Sequence, residues 1–386
     1  MNILEEIQNC PIEWKELGEV CSVKKGKQLN KNLLTEDGLY PAYNGGQTYS
    51  GRTNDYNVEA NTIIVSQGGA SAGFVNFVDT KFWANAHCYY ILPDETRVNN
   101  RFVYHFVKMN QKYLMDFQHG AGIPALKADK LSKLLLPIPP LELQEKIVQT
   151  LDKFTDYVTE LTSELTSRKK QYSFYRDKLL SFEDEVYQVE WKTLGDIGKV
   201  SMCRRILKNQ TSDDGEVPFY KIGTFGRVAT SYISRELFED YKLRFSYPKL
   251  GDVLISASGT IGRTVVFNGE DSYFQDSNIV WLDHDESQVL NRYLYYFYQM
   301  NPWKVSDGGT ISRLYNGNIE KTRIPVPSLE IQSRIVQVLD NFDTVCHDLN
   351  IGLPKEIELR QKQYEYFREK LLTFVAEGEY TESRVE

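Results

Sequence analysis

The sequence predicts an α+β protein built as an internal repeat, two mixed α/β modules each followed by a long amphipathic helix. Three observations predict it. Trp14-Lys15-Glu16-Leu17-Gly18-Glu19-Val20 returns as Trp191-Lys192-Thr193-Leu194-Gly195-Asp196-Ile197. Pro137-Ile138-Pro139-Pro140-Leu141-Glu142-Leu143-Gln144 returns as Pro325-Val326-Pro327-Ser328-Leu329-Glu330-Ile331-Gln332. A block running from Arg168 to Phe182 returns at 360–374 with nine of fifteen residues identical. The order of the three marks is the same in both halves, which identifies duplication of a whole structural unit. The expected organisation is a module over 1–140, a helix over 141–185, a second module over 186–327, a second helix over 328–375 and an acidic tail over 376–386.

Each module opens on its Trp motif and continues as short β-like runs ended by glycine-rich turns. Thr62-Ile63-Ile64-Val65 leads into Ser66-Gln67-Gly68-Gly69-Ala70-Ser71-Ala72-Gly73. Asp252-Val253-Leu254-Ile255 leads into Ser256-Ala257-Ser258-Gly259-Thr260-Ile261-Gly262-Arg263. A tyrosine-rich helical segment follows at 99–117 and 289–303, and then a second glycine turn at 118–124 and 306–313.

The prolines at 139 and 140 bias the chain before them away from helix. Beyond them Leu151, Phe154, Val158, Leu161, Leu165, Arg168, Tyr172, Tyr175, Leu179 and Phe182 recur in alternating steps of four and three, with Arg168 the one basic interruption, the spacing of a heptad seam. A helix over about 142–182 at ~1.5 Å per residue is roughly 60 Å long. The second seam runs Ile335, Leu339, Phe342, Cys346, Leu349, Leu353, Ile357, Arg360, Tyr364, Phe367, Leu371 and Phe374. Two successive steps of four between Leu349 and Ile357 amount to a four-residue insertion. Gly352-Leu353-Pro354 lies inside it, so a kink or break is expected there. The seam residues expected to pack helix on helix or on a partner are Leu151, Phe154, Tyr172, Tyr175, Leu179, Leu339, Phe342, Tyr364, Phe367 and Leu371. Connectivity adds a constraint. The first helix carries the chain away from module one and the second starts from module two. If the seams pair, they pair antiparallel with a pseudo-two-fold relation and one module at each end, and two-fold readers match inverted half-sites in a duplex.

Composition narrows the function. The net charge is −8, yet residues 14–140 carry 14 basic and 11 acidic groups and residues 191–327 carry 17 and 16. The acidity sits in the helices and tails, so overall charge does not argue against binding a polyanion. Five scattered cysteines and five scattered histidines show neither C-x-x-C nor metal-ligand spacing, which points to a reducing, cytoplasmic setting and away from a metal site. No run of 18 apolar residues occurs. Neither phosphate-loop motif and no H-E-x-x-H is present, and no catalytic residue is nominated.

The loops carry the side-chain types that bond base edges and phosphates. In module one the candidates for DNA contact are Lys25, Lys27, Tyr43, Asn44, Gln47, Arg52, Ser66, Gln67, Ser71, His119 and Lys127. In module two they are Arg204, Arg205, Lys221, Arg227, Ser256, Ser258, Thr260, Arg263, Arg313 and Tyr315. Tight structural turns and solvated basic loops account for the same residues as well as phosphate anchoring does. Three functions fit these residues: a DNA-sequence adaptor, a solitary DNA methyltransferase or nuclease with an unrecognised site, and a coiled-coil scaffold.

The paired blocks Pro-x-Pro-x-Leu-Glu-x-Gln-x-x-Ile-Val and Arg-x-Lys-Gln-Tyr, with Lys-Leu-Leu closing the second, resemble the specificity subunit of type I restriction–modification systems. Ser66–Gly73 and Ser256–Arg263 resemble loops of its two target-recognition domains. The resemblance covers nearly the whole chain. It implies a non-catalytic subunit that binds double-stranded DNA, two methyltransferase subunits and restriction–translocase subunits. Each module would read half of an interrupted site while the helices set the gap. The resemblance places S-adenosylmethionine, ATP and magnesium in the assembled complex, none held by this chain.

Overall fold

A computed structural model describes residues 3–116, 125–182, 189–304 and 313–374. The second glycine turns, including His119 but not Arg313, and the acidic tail lie outside these residues. Among the described residues no helix is long and apolar enough to cross a membrane.

The first module contains β1 (Glu13–Glu16), β2 (Cys21–Lys25), β3 (Tyr40–Tyr43), β4 (Gly51–Thr53), β5 (Thr62–Ser66), β6 (Val75–Val78), β7 (Trp83–Ala84), β8 (Cys88–Pro93) and β9 (Leu135–Ile138). The second contains β10 (Glu190–Thr193), β11 (Lys199–Ser201), β12 (Val217–Tyr220), β13 (Tyr232–Ile233), β14 (Val253–Ser256), β15 (Thr264–Val266), β16 (Tyr273–Phe274), β17 (Ile279–Asp283) and β18 (Arg323–Val326). The strand orders match one for one. Module one has a sheet β2-β8-β5-β6, a sheet β4-β3-β7 and the pair β1-β9; module two has β11-β17-β14-β15, β13-β12-β16 and β10-β18. The Trp motif and the Pro-x-Pro motif, distant in sequence, are thus the two halves of one ladder: Trp14 faces Pro137 and Trp191 faces Pro325. The proline nearest each pair's end does no harm there, because a two-stranded edge ladder tolerates a missing donor.

The chain divides into two compact units. One holds residues 1–163 and 356–386, the other 164–355. The division falls inside both long helical stretches, so each unit is a module plus a segment of each helix copy. The first long helix runs unbroken over Leu141–Ser181. The second is split into Leu329–His347 and Leu353–Leu372, as the insertion predicts. Leu349, a seam position by spacing, falls in the break and is 71% exposed; outside a helix, heptad spacing no longer sets which way a side chain points.

In the first unit Leu143, Ile147, Val148, Leu151, Leu371 and Leu372 join the module core around Ile63, Val65, Phe102 and Phe106. Phe154 stacks on Phe367 with ring centroids 5.2 Å apart. In the second unit Tyr172, Leu180, Ile335, Leu339 and Cys346 join a core with Val280, Tyr293, Tyr296 and Phe297, and Leu179 and Phe342 pack against it. Tyr175 stacks on Phe342 at 5.8 Å while Tyr172 lies beside His347 at 5.5 Å, an antiparallel progression. The seam therefore pairs helix with helix and also seals each module, which is why its two helix segments share one apolar cluster with the sheet.

Candidate nucleic-acid interface

The motif glutamines explain how each module is fixed to its helix. Gln144 is fully buried. Its Oε1 accepts from the Asn99 amide at 2.7 Å, and its Nε2 donates to the carbonyls of Pro139 and Arg97. Gln332 repeats this, accepting from the Leu290 amide at 2.9 Å and donating to Pro327 and Gln288. A buried amide that satisfies one donor and two acceptors at the foot of the tyrosine-rich helix ties that helix, the Pro-x-Pro strand and the long helix together.

About two turns further along the long helix, a charged network makes the second tie. Arg101 of the tyrosine-rich helix Asn100–Met109 donates its Nε to Asp152 at 3.2 Å and its other nitrogen to the same carboxylate. His105, fully buried, bonds Asp152 through Nε2 at 2.8 Å and the Tyr364 hydroxyl through Nδ1 at 2.9 Å. Burial pushes the His105 imidazole below its usual range, outweighing the pull of Asp152. Burial acts to raise the Asp152 carboxyl, but the bonds from His105 and Arg101 hold it low. A neutral ring that donates to Asp152 and accepts from Tyr364 satisfies all three groups. In the second unit Arg292, on the helix Asn291–Gln299, and Tyr296 converge on Asp340.

The glycine turns then close at the tip of each module. Ser66 and Ser256 are buried, with hydroxyls bonded to the carbonyls of Gly46 and Thr260. Both were expected to face DNA; their placement makes them braces of the loop instead. The amides of Gly73 and Gly262 return to the carbonyls of Ser66 and Ser256. Both glycines are left-handed, φ +89° and +81°, and a Cβ on Gly73 would stand 2.6 Å from the Leu114 carbonyl carbon. Only glycine fits such a close approach with that dihedral. Beneath the first loop Lys108 donates to the Val75 carbonyl at 2.7 Å and to Gln111 at 2.8 Å. Among the described residues its ammonium makes no ion pair, and burial pushes it down to about 8.

Hydrogen bonds gather several loops around each glycine turn. In module one the Gln67 amide bonds His87, the Leu126 amide bonds Gln67, and the Asn85 amide bonds Tyr43. In module two the Ala257 amide bonds Asn278, Leu314 bonds Ala257 and Gln275 bonds Tyr220. Of the predicted contacts, this brings together Tyr43, Asn44, Gln47, Gln67, Ser71 and Lys127 in one module. In the other it brings together Lys221, Ser258, Thr260, Arg263, Arg313 and Tyr315. Lys25 and Lys27 adjoin the first cluster, for the Lys27 amide bonds the Ala84 carbonyl.

Several predicted contacts are partly committed. Arg52 donates to the carbonyls of Gly38 and Leu39, away from the glycine turn. Arg263 donates to Phe225, Arg313 to Ser277 and Lys221 to Ser231. Ser258 donates to Asn278, and half-buried Tyr43 sits edge-on to Tyr49 and Phe82. Lys25, Lys27, Asn44, Gln47, Lys127, Arg204, Arg205, Arg227, Thr260 and Tyr315 are exposed. Arg204 lies over the Phe245 ring at 5.2 Å. Sequence reasoning passed over His87, Asn278, Lys108 and the Arg101–Asp152 and Arg292–Asp340 pairs. An Asn-Arg-aromatic opening shared by both tyrosine-rich helices was the available signal for the last two.

The two modules thus share one strand order, one loop closure and one buried glutamine tie to a long helix. The family described as type I restriction modification DNA specificity domain matches residues 11–168 and again 188–359, and the chain belongs to that family, with two copies of its domain. A Haemophilus influenzae protein described as a type I restriction enzyme specificity subunit is 47% identical, the alignment covering 95% of this chain and 97% of that one. The EcoR124I/EcoR124II specificity subunit of Escherichia coli is 29% identical, with 97% of each chain covered. The crystal structure of a type I S subunit from M. genitalium shares the fold at a TM-score of 0.59 and 22% identity, covering 95% of this chain and 98% of that one.

Proposed function

We propose that this chain is the sequence-reading, non-catalytic subunit of a type I restriction–modification complex. Each module reads one half of a bipartite, interrupted duplex site through its loop cluster, and the helices set the gap and dock two methyltransferase subunits. The observation that carries the reading is the repeat itself. Strand order, loop closure and helix tether are the same in both modules, while the loop side chains differ, as two readers of unlike half-sites on a common frame require. Exposed lysines and arginines around each cluster supply sequence-independent phosphate neutralisation, and the shorter polar side chains supply base contacts.

S-adenosylmethionine, ATP and magnesium belong to the chemistry of the partner subunits, and restriction–translocase subunits join the same core in a bacterial cytoplasm. The test is methylome sequencing of a host that carries the chain with its methyltransferase partner. One interrupted motif is expected, and replacing residues 14–140 with another module changes only one half of it. An unchanged motif after that exchange overturns the reading.

A further inference from the structure

Each loop cluster is organised around one backbone carbonyl, and the residue that owns it differs between modules. In module one it is His87, whose carbonyl accepts from Gln67 at 2.8 Å, while the Gln67 carbonyl accepts from Leu126 at 2.7 Å. The flanking chain is fixed by Asn85, whose amide bonds Tyr43 at 2.9 Å and whose carbonyl accepts from Cys88 at 3.0 Å. Gly45 closes the other side, for a Cβ there would stand 3.2 Å from the His87 Cβ. The imidazole itself is exposed and has no hydrogen-bond or ion-pair partner among the described residues.

The equivalent residue in module two is Asn278. It immediately precedes β17 as His87 precedes β8, and its carbonyl accepts from Ala257 at 2.7 Å. Its side chain, however, is spent inside the loop, accepting from Ser258 at 2.8 Å. The same backbone position therefore holds a free ring in one reader and a brace in the other.

We propose that His87 is a specificity-determining residue of the first module, donating an N–H to an acceptor on a base edge in the first half-site. Asn278 shapes the second module's loop and makes no such contact. The proposal rests on the DNA-reading function above. A short ring on a backbone bonded from both sides is held in one place, which base readout needs. The long exposed side chains of Lys25, Lys27 and Lys127 nearby suit phosphates instead.

The test uses the full chain assembled with its methyltransferase subunits, as wild type, His87→Ala and Asn278→Ala. Each binds a duplex library randomised across both half-sites, at two salt concentrations. His87→Ala is expected to weaken the cognate site roughly ten-fold or more and relax one position of the first half-site. The second half-site and the salt slope stay as in wild type. Asn278→Ala alters the second half-site only. Uniform weakening over all duplexes with a shallower salt slope makes His87 a phosphate anchor and overturns the proposal, as does an unchanged preference. A wild-type complex with no preference for any interrupted sequence overturns the DNA-reading function itself, and so is distinguishable. His87 is exposed, so its truncation spares the fold.

Discussion

In the first unit Arg101, His105 and Asp152 hold the tyrosine-rich helix, and Tyr364 closes the network from the second helix copy. In the second unit Arg292, Tyr296 and Asp340 occupy the same places, Asp343 adds a second carboxylate to Arg292, and Tyr172 bonds Gln299 rather than the residue at the histidine position. The arginine–carboxylate core is retained and the group beside it has changed. The lesson is that the tether to the frame is the fixed part of each unit, while its titration chemistry is free to drift. A histidine there, held below its usual range by burial, ionises only on acidification; a tyrosine, pushed up by burial and by Asp340, does not.

The largest expected effect comes from the loop closure that both units share. Gly73→Ala or Gly262→Ala forces a side chain into a left-handed dihedral and against Leu114 backbone or the Asn301 and Trp303 side chains. Each should cost about 4 kcal/mol from strain and clash combined and erase one half-site while sparing the other. The backbone clash makes Gly73→Ala the worse of the two. Equal losses at both half-sites from either substitution would show that the loops do not act separately.

Next in size is Gln144→Leu, which leaves one buried amide and two carbonyls without their partner. A loss of about 3 kcal/mol is expected, seen as faster hydrogen exchange around 97–99 with the region 288–290 unchanged. Gln332→Leu should give the mirror result.

The acid sensitivity of the two units then separates them. Because the His105 pKa is lowered in the fold, the unfolded chain binds the proton more readily. Stability is fully present above the unfolded value of about 6.5 and is lost as pH falls through the folded value. Proteolysis between pH 7 and 5 should therefore open the first unit before the second, and His105→Tyr should abolish the difference. The smallest effect, about 1 kcal/mol, belongs to Tyr364→Phe, which removes a single bond to His105. Denaturant melting should rank it below Gln144→Leu, and a greater loss would mean the Tyr364 hydroxyl carries more than that bond.

Much of the frame was legible beforehand. The duplication, the unbroken first helix and the break near Gly352 follow from self-similarity, heptad spacing and a four-residue insertion, all of which are local. The site was legible only in part. Ser66 and Ser256 read as base-contacting types, yet their hydroxyls turn inward, since a hydroxyl beside a closing loop meets a carbonyl before it meets solvent. His87 was passed over because a lone histidine in a β-loop carries no spacing signal. Leu349 was placed on the seam because heptad counting does not see where a helix stops.

The sequence by itself determined that the chain is one unit made twice, with the helix blocks more alike than the modules. A repeat is a relation between residues that needs no coordinates, and apolar periodicity reports which face of a helix must be buried. Only the tertiary structure decided what those positions do. It joined the Trp motif to the Pro-x-Pro motif as a ladder, turned the motif glutamines into buried ties, and left His87 free where Asn278 is bound. Each of these depends on which backbone group a side chain meets across tens to more than a hundred residues of chain, and that meeting is fixed by packing rather than by local spacing.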